Sequence, residues 1–101
     1  MNLNKPILDK IYKKQEEIVT RNIAGDTILV PIKGKLANME KIFSLEGTAD
    51  RIWSLLNGQN SVNDICKNIS IAFDVDTDKA QADTIEFIDE LLKTELIFEV
   101  K

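Results

Sequence analysis

The hydrophobic period of this 101-residue chain passes from strand-like to helical near Gly47, and that change restricts its fold more than any other feature. Before it, the apolar residues sit in short β-prone runs. Glu17–Ile23 and Thr27–Ile32 are rich in Ile, Val and Thr, with Ala24-Gly25-Asp26 between them. Gly in so short a connection supplies a positive φ, so the pair predicts a β-hairpin. Pro31 cannot donate to a ladder and belongs at a strand end or sheet edge. Ile32-Lys33-Gly34-Lys35 interrupts the pattern. Met39–Leu45 then alternates, with Met39, Lys41, Phe43 and Leu45 on one side and Glu40, Ile42 and Ser44 on the other, which predicts a third strand.

After Gly47 the period is helical. Ala49, Ile52, Trp53 and Leu56 fall at i, i+3, i+4 and i+7, and Gly58 stands where a helix stop is expected. Ser61 with Asp64 three residues on predicts an N-cap, and Val62, Ile65, Cys66, Ile69 and Phe73 continue a second helix on one face. Asp74–Asp78 is a short acidic connection. Asp76 or Thr77 caps a third helix that runs to about Thr94, and Leu96–Val100 is β-prone. The order implies an α+β, winged helix-turn-helix-like domain: a three-stranded antiparallel sheet followed by three helices. Residues 1–15 are weakly specified. Ile7, Leu8 and Ile11 suit one helical turn or an arm packed on another copy, so the chain divides into an N-terminal arm (1–15) and a domain (16–101).

Composition narrows the chemistry. Histidine is absent, which removes the commonest general base and metal ligand. The single cysteine, Cys66, excludes an internal disulfide and a thiolate metal cluster. Cys66 lies in the apolar phase of its helix with no histidine to activate it, so it reads as a small core residue. Trp53, also in core phase, reads as packing. Asp74, Asp76 and Asp78 have the spacing of a calcium loop, but Lys79 stands where the loop needs its glycine and Ile85 where it needs its bidentate Glu. No metal, cofactor or catalytic residue is expected. A lone thiol and a start without an apolar signal region fit a cytoplasmic protein that acts by contact.

Charge is uneven. Residues 1–35 carry Lys5, Lys10, Lys13, Lys14, Arg21, Lys33 and Lys35 against four acids, whereas the rest of the chain is strongly acidic and the whole has net charge −4. A winged-helix fold raises DNA binding as an alternative. However, the outward face of the third helix bears Asp78, Asp83, Glu86, Asp89 and Glu90 against Lys79 and Lys93, which phosphates would repel.

The third helix also has an unusually wide apolar side. At about 100° per residue, Gln81, Ile88 and Leu92 fall within about 60° of Ile85, and Thr84, Leu91, Ala80 and Phe87 extend that side by roughly another 100°. Either the helix is wedged deep in the core, or the edge formed by Ala80, Thr84, Phe87 and Leu91 lines a groove filled by something else. The angles by themselves favour the core.

Four segments in order resemble the PqqD family. They are Ile42-Phe43-Ser44-Leu45-Glu46-Gly47-Thr48-Ala49-Asp50-Arg51-Ile52-Trp53-Ser54-Leu55-Leu56-Asn57-Gly58, Ser61–Ile65, Phe73-Asp74-Val75-Asp76 and Phe87–Ile97. The likeness spans residues 16–98. It departs at Asp50-Arg51, where many members are apolar, and in the first fifteen residues. The resemblance implies a winged-helix-like domain that is not an enzyme. It implies a peptide chaperone that binds the leader of a ribosomally made precursor peptide and presents it to a modifying enzyme, often of the radical S-adenosylmethionine kind. It further implies that the leader adds as a strand beside the third strand, opposite the third helix. Carried onto this sequence, the binding strand is Met39, Glu40, Lys41, Ile42, Phe43 and Leu45. The binding helix face is Ala80, Thr84, Phe87, Ile88 and Leu91. Glu40 and Lys41 would then meet leader charges on the rim. The groove gains weight, because the helix edge so implied is the surplus edge of the angular count. The expected partners are the leader and its enzyme, with no nucleic acid or membrane. The alternatives are a DNA-binding regulator and a structural module that pairs with a second copy.

Overall fold

A computed structural model describes residues 6–32 and 43–101. A 3-10 turn (Pro6–Asp9) leads into β1 (Ile11–Lys14), β2 (Ile18–Ile23) and β3 (Asp26–Pro31). There follow β4 (Phe43–Leu45), α1 (Thr48–Leu55), β5 (Asn57–Ser61), α2 (Val62–Ala72), α3 (Thr77–Lys93) and β6 (Ile97–Val100). The strands form two antiparallel sheets, ordered β2-β3-β4 and β5-β1-β6.

The β2–β3 hairpin forms where the sequence placed it. Ile23 pairs with Asp26 across a two-residue turn in which Ala24 and Gly25 both take left-handed angles, φ 53° and 89°. That geometry matches the twist of the strands it joins. Thr27, Leu29 and Pro31 alternate inward along β3, and Phe43, Ser44 and Leu45 pair with Leu29, Ile28 and Thr27. The rest of the expected third strand, Met39–Ile42, lies outside the described residues.

The helices begin close to the expected positions. Ser61 and Asp64 close a reciprocal capping box: Ser61 Oγ accepts from the Asp64 amide at 3.1 Å, and the Ser61 amide donates to Asp64 Oδ2 at 3.0 Å. Asp76 is the N-cap of α3, with Asp78 in the first turn and Lys93 in the last, both favourable to the helix dipole. Gly58 does not stop α1. The helix ends at Leu55 with Leu56 as its cap, and Gly58 belongs to β5, with φ 84°. A Cβ there would stand 3.3 Å from the Lys13 side chain, so glycine admits the close passage of β1.

The expectation of an N-terminal arm is corrected for its described part. Ile11–Lys14 is the central strand of the second sheet: Ile11 pairs with both Ser61 and Val100, and Lys14 with Ile97. Its partners lie far along the chain, and Ile-Tyr-Lys-Lys is too short and too cationic to announce a strand by alternation. Burial of Tyr12 and a 3.3 Å ion pair from Lys10 to Glu99 fasten the segment.

The core joins both sheets to the three helices. Trp53, 2% exposed, donates from Nε1 to Thr20 Oγ1 at 3.2 Å, tying α1 to β2. Lys14 Nζ stands 5.3 Å above the indole centroid, and burial pushes the Lys14 pKa below its ordinary value. Asp50 and Arg51, the departures from the family pattern, find local partners: the Thr27 hydroxyl donates to Asp50, and Arg51 Nε donates to Asn68 at 2.9 Å. Among the described residues no helix is long and apolar enough to cross a membrane, and no group of acids and cysteine is arranged to hold a metal.

Two consequences can be measured. The buried Thr84 hydroxyl has no hydrogen-bond partner among the described residues. Thr84→Val keeps the shape and removes an unsatisfied polar atom, so stability should rise by about 1 kcal/mol, or a Tm increase of roughly 4–8 °C in thermal unfolding. Tyr12 is the chain's one tyrosine. Burial raises its pKa above the ordinary 10.0, Lys10 opposes this, and Glu99 adds to it. The unfolded chain therefore ionises first, and stability should fall as pH rises through 10. Phenolate absorbance should titrate later in the native protein than in denaturant.

Candidate functional site

Three of the helix positions expected on a groove are core. Ala80, Thr84 and Ile88 are exposed by 1%, 0% and 0%, and their side chains pack inside. With Leu91, 4% exposed, they mark the centre of the buried face of α3. Taking Ile85 as the centre displaced that face by roughly a quarter turn. Thr84, polar in sequence terms, lies at the heart of it. Phe87, the far edge of the wide side, is only half-buried.

Beside Phe87 lies an open cleft of about 330 Å³. Its floor is Leu29, Leu45, Leu91 and Leu96, all nearly inaccessible. Phe43 of β4 and Phe87 of α3 stand as its two half-exposed walls, and Glu90, Lys93 and Thr94 form the rim. Phe43, Leu45, Phe87 and Leu91 are thus brought together from the expected set, whereas Ala80, Thr84 and Ile88 are not. Leu29 and Leu96 were not singled out in the sequence. Leu29 was within reach, since it shares the inward phase of β3 with Thr27. Leu96 was not, because only the turn after α3 folds it back beneath the cleft. Glu95 makes that turn at φ 61°, and the Leu96 amide donates to the Leu91 carbonyl at 3.0 Å.

β4 closes one side of the cleft and is an edge strand. Its inner side bonds to β3, and among the described residues nothing pairs with its outer side. Such an edge offers amide and carbonyl groups to any extended chain laid along it. The adjoining apolar floor can then receive a side chain that points into the groove. The architecture and the cleft together define a winged-helix-like α+β domain with an open strand edge beside an apolar helix flank.

Residues 27–97 match the family described as coenzyme PQQ synthesis protein D (PqqD). The chain belongs to the PqqD family. Two solved structures share its fold. One is "TbiB1 in Complex with the TbiA(beta) Leader Peptide", with TM-score 0.71 and 25% identity, covering 84% of this chain and 93% of that one. The other is "Lasso peptide synthetase B1 complexed with the leader peptide", with TM-score 0.72 and 16% identity, covering 86% of this chain and 96% of that one. No curated protein sequence matches the chain.

Proposed function

We propose that this protein is a non-catalytic carrier of a precursor peptide. In this reading it binds the leader by strand addition along Met39–Leu45 and presents it to a modifying enzyme. The observation that carries the proposal is the juxtaposition of β4, unpaired on its outer side among the described residues, with the Phe43/Phe87 cleft. Backbone pairing supplies affinity for almost any extended sequence, and the cleft supplies selection by burying an apolar side chain, worth about 1.5–3 kcal/mol. Family membership and the leader complexes of the two structural neighbours support the same partner class.

A role by contact is supported by the absence of histidine and by a sole cysteine only 2% exposed. The enzyme served would be of the radical S-adenosylmethionine kind, as the family resemblance implies, and the setting cytoplasmic. Met39, Glu40, Lys41 and Ile42 would extend the pairing edge beyond the described part of β4.

The test uses the leader of a precursor encoded beside the gene for this chain. Binding should protect the amides of β4 from hydrogen exchange. Phe87→Asp should weaken binding at least a hundredfold while leaving the circular dichroism spectrum and Trp53 fluorescence unchanged. Collapse of the fold in that variant would show Phe87 to be core. A folded Phe87→Asp that binds normally would move the site elsewhere.

A further inference from the structure

The cleft is asymmetric along α3, and the asymmetry bears on which peptides fit. Next to it, toward the start of α1, is a second recess of about 220 Å³ between Thr48, Ala49 and Ile52 on one side and Asp83, Glu86, Phe87 and Glu90 on the other. Phe87 and Glu90 border both spaces. Carboxylates thus stand on the same flank of α3 that lines the apolar cleft.

Those carboxylates are not equivalent. Asp83 and Asp89 are each matched by a lysine one turn away, Lys79 at 3.2 Å and Lys93 at 3.1 Å. Glu86 and Glu90 have no ion pair among the described residues. Among the described residues these two carboxylates on the flank of α3 have no ion-pair partner, and an occupant bearing a cation would complement them.

Spacing makes the inference specific. The cleft draws on α3 from Phe87 to Thr94 and the recess from Asp83 to Glu90, an offset of four residues. Four helical residues rise about 6 Å, and two residues of an extended strand advance about 6.6–6.8 Å. Side chains two apart on a strand point to the same face. A peptide that runs along α3 as it pairs with β4, and drops one side chain into the cleft, brings the side chain two positions away over the recess.

We propose that the leader segment held by this chain carries an arginine or lysine two positions from the apolar residue that fills the cleft, with the cation received by Glu86 and Glu90. This rests on the leader-binding reading above and adds the charge and spacing of the segment recognised.

Panning a random library of short displayed peptides against the full chain tests it without a known leader. Binders should be enriched in Arg or Lys two positions from a large apolar residue. Changing that residue to Gln in a selected peptide should weaken binding about tenfold, and the difference should shrink at raised salt. Repeating the selection on the folded double variant Glu86→Lys/Glu90→Lys should replace the basic preference with Asp or Glu at the same position. Binders that require Phe87 but show no charge preference there would overturn this inference and leave the leader-binding reading intact. Failure to enrich any binder, or binders indifferent to Phe87→Asp, would overturn both.

Discussion

The seating of α3 governs the rest of the molecule. Ala80, Thr84, Ile88 and Leu91 turn inward and pack with the core residues of α1, α2 and the sheets. Once that stripe is committed to the core, the helical repeat leaves Phe87 on the flank, beside Glu86 and Glu90. The cleft follows, because toward its C-terminal end that flank faces β4 across a gap floored by leucines. A small domain has little interior to spare, and this one devotes the centre of its longest helix to it. At the border of the hydrophobic stripe the Phe87 ring is half in and half out.

The two sheets share this labour. The β2-β3-β4 sheet supplies β4, unpaired on its outer side among the described residues, and the leucine floor at Leu29 and Leu45. The β5-β1-β6 sheet draws both ends of the described chain together: Lys10 meets Glu99, and Ile11 lies opposite Val100. Leu96, immediately before β6, is the point where that second sheet reaches the cleft. Trp53 clasps the arrangement, with its indole nitrogen on β2 and its face beneath Lys14 of β1. Strand edge and helix flank are therefore held at a set separation by contacts outside the site itself.

Electrostatics adds direction to a surface that is otherwise greasy. The lysines of α3 pair with Asp83 and Asp89 one turn away, and exposed pairs of this kind contribute little to stability. Of the acids that border the groove, Glu86 and Glu90 have no ion pair among the described residues. The same acidic outer face argues against a nucleic-acid role for a fold that often has one.

Much of this was legible in the residues alone. The hairpin showed itself through Gly25 and its β-branched flanks, α2 through Ser61 and Asp64, and α3 through its long period and acidic start. These depend on interactions within a few residues, and local sequence determines them. The second sheet was not legible, because Tyr12 and its neighbours gain their partners only when residues some fifty to ninety positions away arrive beside them. The cleft was half legible. Periodicity showed that α3 is apolar over too wide an arc, but only packing against the other elements could decide which part of that arc is interior and which is wall. A helix has no front of its own. Its neighbours choose one, and here they chose Thr84 and left Phe87 at the edge.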